Sequence, residues 1–194
     1  MSDTTRLRAV AAQGAPAQDR KQLQRFDWLQ RALEIFVAEG IDAVRITRLA
    51  DDLGVTRGSF YWHFANRDDL IDALVRFWQD KNTAAIEQLV VQARSLADGI
   101  FRYFETCLDA ERFDARLDLA IREWARRSTR IRELLDREDS ARVEALRQFF
   151  TRFEYPMPEA LIRARVLYYS QIGFYALETR EPLTTRLSYT EAYF

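Results

Sequence analysis

An all-α chain is what this sequence predicts, and three observations predict it. Apolar residues recur at three- and four-residue spacing through one stretch after another. Only four prolines and six glycines interrupt 194 residues, and no internal repeat or low-complexity tract intervenes. Where the helical period stops, a glycine, a proline or a capping pair stands at the break. With 48% apolar residues, the length suffices for one small and one medium domain, each with a core.

Residues 1–18 carry Ala, Gln, Arg, Gly and Pro without an apolar period and are expected to form a disordered arm. Arg6, Arg8, Arg20, Lys21 and Arg25 outnumber Asp3 and Asp19 there, and a solvated tail outweighs an arm that follows a minor groove. Asp19 and Gln22 have the spacing of a capping box for a first helix. Its apolar stripe is Phe26, Leu29, Leu33, Phe36 and Val37, and Gly40 ends it.

The next stretch, Ile46 to Phe64, reads ITRLADDLGVTRGSFYWHF. Leu49, Ala50 and Leu53 share one face of a short helix, which Gly54 terminates by taking a positive φ. Val55 plugs the corner, and Thr56 is placed to cap a second helix over Arg57 to Phe64. Phe60 and Phe64 face inward, while Arg57, Ser59, Tyr61, Trp62 and His63 occupy the other side. Two short helices, a glycine turn and a polar-aromatic outer face describe a helix-turn-helix whose second helix fits a DNA major groove. Arginine can bond bidentately to guanine and Trp62 can meet a thymine methyl, so Arg57, Ser59 and Trp62 are the candidates for base contacts.

From Thr56 through Phe64, followed by Asn66-Arg67-Asp68-Asp69-Leu70, the sequence resembles the recognition helix and fourth-helix start of the TetR family of bacterial repressors. The resemblance runs from about Phe26 to Trp78. It implies phosphate contacts at Thr56, Tyr61, His63 and Arg67, which set register without reading sequence, and close backbone approach at Gly58. One position departs. Where the family starts its second helix on Ser or Thr, this chain has Arg45, which is placed to reach a phosphate.

Asn66 and Asp69 form a second capping pair, and Leu70, Leu74, Phe77, Trp78, Ala85 and Leu89 keep a helical period to about Ala93. That helix starts at the DNA-binding unit and ends in the second domain, so it is placed to carry a signal. Ser95 and Asp98 cap a helix with Ile100, Phe101, Phe104, Cys107 and Leu108. Leu117, Ile121 and Trp124 mark another that ends near Ser128. A further one runs from Thr129 through Ile131, Leu134, Leu135, Val143, Leu146 and Phe150 to the break at Tyr155-Pro156. The arginine-dense stretch 122–137 contains Glu123–Arg127 and Glu133–Arg137 at i,i+4, the pattern of a solvated ion-paired face.

After Pro158 one helix is apolar on two sides. One side carries Leu161, Tyr168, Ile172 and Tyr175; the other carries Ile162, Val166, Tyr169, Gly173 and Leu177. Such a helix must be covered twice, and the second set is the expected homodimer interface, as the resemblance also implies. A short segment from Thr185 to Phe194, with Leu187, Tyr189, Tyr193 and Phe194, closes the chain. Aromatic side chains on several helices can leave room for an apolar or aromatic molecule. The resemblance implies such an effector pocket, for which Trp78, Phe101, Phe104, Cys107, Trp124 and Tyr168 are the candidates.

The expected organisation is therefore an arm at 1–18, a helix-turn-helix domain at 19–66, and a helical ligand-binding and dimerisation domain at 67–194. The expected function is a DNA-binding repressor released from its operator by a small molecule. A DNA-binding dimer without such a ligand, ungated or gated by a protein partner, is the alternative; a helical enzyme is the more distant one. No catalytic constellation supports the latter. His63 is the sole histidine, and Cys107, the sole cysteine, has no activating histidine beside it in its own domain. Neither residue sits among the ligands zinc requires, and no Gly-rich phosphate loop is present, so no metal or cofactor is expected. A net charge of −1 means that any basic DNA-facing surface must be local. Without an apolar run of membrane-spanning length or a signal-peptide core, the expected location is the cytoplasm. One cysteine agrees with a reducing compartment.

Overall fold

The computed structural model describes residues 23–179 and 181–188. The arm at 1–18, the pair Asp19 and Gln22, and the terminal residues Tyr189, Tyr193 and Phe194 lie outside the described residues. All the regular elements described are helical: α1 (Arg25–Glu39), α2 (Ile46–Asp52), α3 (Arg57–Phe60), α4 (Arg67–Trp78), α5 (Ala84–Gln92), α6 (Leu96–Leu108), α7 (Ala115–Ala125), α8 (Thr129–Arg152), α9 (Glu159–Ala176) and α10 (Leu183–Ser188), with a 3₁₀ turn at Ile41–Ala43. Among the described residues, no helix is long and apolar enough to cross a membrane.

Local chemistry sets the helix starts. The Gln24 N–H donates to Asp27 Oδ2 at 2.6 Å, so the cap of α1 is Gln24, beyond the predicted Asp19. Asn66 and Ser95 behave as their spacing predicts: Asn66 Oδ1 accepts from the Asp69 N–H, and Ser95 Oγ from the Asp98 N–H. Asp114 and Ser128 cap α7 and α8 in the same way.

Two apolar clusters form the interior. The first gathers Trp28, Ala32, Ile35 and Phe36 of α1, Leu49 of α2, Phe60 of α3, and Leu70, Leu74 and Trp78 of α4. It also takes Leu117, Ile121 and Ala125 from α7, and Ile131 and Leu135 from α8. The first core thus extends well beyond the helix-turn-helix. The second cluster joins Ile86, Ile100, Tyr103, Cys107, Phe113, Val143, Phe149, Phe150, Ala160, Ala164 and Tyr168, and is dominated by the packing of α8 on α9. The segment α10 packs on α6.

Helix α4 does not stop at Trp78. A π turn over Gln79–Thr83 carries it directly into α5, so the predicted long helix is continuous, with one local widening. At this turn the interior is polar. Trp78 Nε1 donates to Asp118 Oδ1 at 2.9 Å, and Gln79 and Thr83 both donate to Glu138. Asn82 donates to the Asp114 carbonyl and accepts from the Asp114 N–H, each at 3.0 Å. Asp118 and Arg142 have no exposed side-chain surface and meet at 2.9 Å. Arg122 reaches Asp118 through Nε and grips Asp139 bidentately. Burial opposes the charge on Asp118, yet Arg142 and Arg122 beside it hold its carboxyl below the usual carboxylate range.

The arginine-rich stretch therefore divides. Arg122 belongs to this interior network. Outside it, Glu123 pairs with Arg126 rather than Arg127, which reaches Asp42 of the first unit instead.

Gly99 of α6 lies in close contact with Phe149 of α8. A Cβ there would lie 2.1 Å from Phe149 Cε2 and 3.0 Å from Ala93 Cβ. Phe149 is itself buried and packed edge-on to Phe150 and Phe153, so its ring has little room to retreat. Gly99→Ala is expected to destabilise the fold by about 1–3 kcal/mol through overpacking, despite alanine's better helix propensity. Chemical denaturation checks this, and an unchanged midpoint would show that α6 and α8 separate freely.

Candidate nucleic-acid interface

The surface around α3 is built on an aromatic anchor. Phe60 is fully buried, with Trp28 of α1 edge-on at 5.3 Å and Phe64 stacked at 5.4 Å. The Arg25 guanidinium covers Phe64 at 4.3 Å, a cation–π contact. These contacts hold the inner side of α3. Its approach angle comes from the turn before it: Gly54 adopts φ +68°, and the Val55 N–H returns to the Ala50 carbonyl at 3.0 Å.

The predicted helix over 57–64 is present in a tightened form. One α turn covers Arg57–Phe60, and i→i+3 bonds from Tyr61, Trp62 and His63 continue it. The Thr56 hydroxyl makes no capping bond, contrary to expectation; the Ser59 N–H bonds the Thr56 carbonyl instead. Arg45 likewise makes no side-chain cap for α2, and its Nε donates to the Asp42 carbonyl at 3.2 Å.

Thr56, Arg57, Gly58, Tyr61 and Trp62 are exposed, and Ser59 and His63 half-buried. Trp62 is 88% exposed, an indole left in water on the side opposite the buried Phe60 and Phe64. Arg45, at the start of α2, is exposed as well. The arrangement presents one cation, hydroxyls, an imidazole and an aromatic face on a short anchored helix, the groups that bond phosphates and base edges.

The comparisons with known proteins agree with this geometry. Residues 29–74 match the model of the bacterial regulatory proteins of the tetR family. The helix-turn-helix unit belongs to the TetR family. The chain is 33% identical over 98 residues to the class A tetracycline repressor protein from transposon 1721 of Escherichia coli, which is half of this chain and 45% of that protein. Its matches thus span less than half the length of the curated relatives. The fold as a whole resembles the ketosteroid transcriptional regulator KstR2 of Mycobacterium tuberculosis, with a TM-score of 0.67 and 17% identity over 87% of this chain and 92% of that one. Reduced NemR of E. coli gives the same TM-score at 19% identity, over 88% of this chain and 97% of its own.

Within the TetR-family unit, one predicted contact residue is occupied otherwise. Arg67 is half-buried, with Nε donating to the Val44 carbonyl and Nη2 to the Ile41 carbonyl, both at 2.7 Å. Those carbonyls stand at the first residue of the 3₁₀ turn between α1 and α2 and at its C-cap. The guanidinium therefore clasps the start of α4 to the helix-turn-helix rather than standing open to phosphate.

The expected pocket residues do not come together either. Trp78 is sealed in the first cluster, and Trp124 packs there edge-on to Phe36 at 5.8 Å. Phe104, Cys107 and Tyr168 belong to the second cluster, while Phe101 is exposed. None of them lines the two described clefts. One, of about 390 Å³, lies among Asp80, Lys81, Gln88, Arg102, Thr106 and Arg112; the other, of about 450 Å³, lies between α8 and α9. Helical period placed Phe101 inward although that ring is exposed, and identified the other five as inward but not which of two cores each one enters.

The second face of α9 is open. Ile162, Val166, Tyr169 and Leu177 are all exposed, and a Cβ on Gly173 would meet nothing within 4 Å. Among the described residues, no three His, Cys, Asp or Glu side chains group as a metal site.

Two charge-assisted bonds make Arg67 a stability residue of the TetR-family unit. Arg67→Ala is expected to cost about 2–4 kcal/mol, because two carbonyls lose bonds to a charged donor. A thermal or urea melt reads this loss, and a variant as stable as the wild type would return Arg67 to the phosphate contacts.

Proposed function

We propose that the chain is a homodimeric transcriptional repressor that places α3 of each copy in the major groove of operator DNA. The observation that carries this reading is Trp62, exposed on a helix whose opposite side is pinned by Phe60 and Phe64. Arg57, Ser59 and Trp62 read base edges. Arg45, Thr56, Tyr61 and His63 hold phosphates, and Gly58 admits the sugar-phosphate backbone. Residues 19–66 form the DNA-binding domain and 67–194 the regulatory and dimerising one. Likeness to a protein named a tetracycline repressor supports repression rather than activation. The site of action is the bacterial cytoplasm.

The second copy covers the open face of α9, where four large apolar side chains otherwise stand in water. A small apolar or aromatic effector releases the DNA from a site beside Phe104, Cys107 and Tyr168. The division of the expected pocket between two cores favours a second reading, a DNA-binding dimer without a small-molecule effector. Screening small aromatic molecules for release of bound operator separates the two.

Selecting DNA fragments from a randomised pool tests the main reading. The enriched sequences are expected to contain paired half-sites about 34–36 Å apart, or a multiple of that distance. A pool that shows no enrichment overturns it. Against the selected site, Trp62→Ala and Arg57→Ala are each expected to weaken binding by about 1–3 kcal/mol and to relax base preference. Competition titrations with single-base variants of the site measure both effects.

Gly173→Leu gives an independent check of the interface. The side chain has open space in the single chain, so any disturbance must come from a partner. The variant is expected to sediment as a monomer while keeping its helical circular dichroism. An intact dimer would move the interface off this face.

A further inference from the structure

We propose that Tyr168, Asp118, Arg142 and Trp78 are positioning residues for DNA binding, fixing α4 against the dimer-forming helix so that the two recognition helices keep one separation. The inference rests on the dimeric DNA-binding reading and adds the connection that such a dimer requires. Neighbouring residues of α9 look in opposite directions: Tyr169 is 56% exposed on the open face, while Tyr168 is 1% exposed and points into the polar interior. The Tyr168 hydroxyl donates to Asp139 Oδ1 at 2.7 Å and accepts from Arg122 Nη2 at 2.9 Å and Arg142 Nη1 at 3.1 Å. Both arginines continue to Asp118, and Asp118 accepts from Trp78 at the end of α4. At its other end, α4 is clasped by Arg67 to the carbonyls preceding α2.

Bonds from the buried side of α9 thus reach the end of α4, and α4 carries the connection to the helix-turn-helix. Its chemistry suits a spacing device. Apolar contacts between helices tolerate small slides, whereas directional bonds between buried charges hold one register. The series meets the long helix at its π turn, a rare conformation with poorer backbone geometry than the α-helix on either side. Gln79, Asn82 and Thr83 each spend a side-chain bond on α8, or on the residue that caps α7, to keep it there. Cutting the series at either end should loosen the same joint.

Two conservative variants test this, each removing a polar atom and keeping a ring. Tyr168→Phe deletes the α9 link, and Trp78→Phe deletes the α4 link. Hydrogen exchange is measured first, without DNA: Tyr168→Phe is expected to speed exchange of the 79–84 amides about threefold or more, at a distance from its own helix. DNA binding is measured next. Each variant is expected to lose about tenfold in affinity for paired half-sites, to keep its affinity for one half-site within about twofold, and to tolerate altered half-site spacing. Because both cuts act on one series, the double variant should bind no more weakly than the weaker single.

Unchanged exchange, multiplicative losses in the double variant, or equal losses on single half-sites would overturn the proposal. Those results would leave the network as a merely stabilising element. A wild type that never binds paired half-sites would overturn the dimeric reading instead, and the exchange measurement tells the two failures apart because it needs no DNA.

Discussion

The constraint on which the rest of this structure depends is the burial of one ion pair, Asp118 with Arg142, where neither side chain touches water. A charge removed from water loses hydration, and bonds to its polar atoms offset that loss. Asp118 bonds Trp78, Arg122 and Arg142, and Arg142 turns also to Thr83 and Tyr168, while its buried Nη2 has no hydrogen-bond partner among the described residues. Each of those partners stands on a different helix or turn, so satisfying one carboxylate orients α4, α7, α8 and α9 together. Removing either charge of the pair costs about 3–5 kcal/mol, because it leaves the other poorly compensated. Two apolar clusters give the chain its bulk; the polar joint between them sets how one lies on the other.

The reading head is built on the opposite principle. Around Phe60 the support is aromatic and dry: Trp28 edge-on, Phe64 stacked, and the Arg25 guanidinium as a cover. Four α-helical residues would not hold a helix in solution, since a nucleus of that length is unfavourable. Here tertiary packing fixes it, and the exposed side is left free for polar chemistry. A rigid short helix is what base readout needs, because bonds to base edges require fixed geometry.

The helix-turn-helix was legible because its signals are local. Glycine at 54 must turn the chain, Phe60 and Phe64 must face inward, and Trp62 must then face outward. The caps at Asn66 and Ser95 were legible for the same reason. The fate of Arg67 was not, since its partners lie 23 and 26 residues earlier and are backbone carbonyls that leave no trace in a side-chain pattern. Asp118 and Arg142 were hidden differently. On their own helices they read as ordinary surface charges, and only the i,i+4 spacing of Asp118 to Arg122 hinted at a pair. The expected pocket residues divide between two cores: period shows that Trp78, Trp124 and Tyr168 face inward, but which core each enters is a property of helix arrangement.

A net charge of −1 looks adverse to DNA binding until the arginines are followed to their partners. Arg122 and Arg142 are spent inside the protein, Arg31 and Arg48 on Asp52 and Glu39, and Arg130 on Asp72. Arg57 has no ion-pair partner among the described residues and stands exposed on α3. Phosphate attraction is screened over about 10 Å at ordinary salt, so the total charge matters less than the few cations at the contact. Pairing these arginines within the protein leaves the field of the recognition surface to those that face DNA. The same pairings tie α2 to α1 and the start of α8 to α4, so the paired charges also hold the reading head in place.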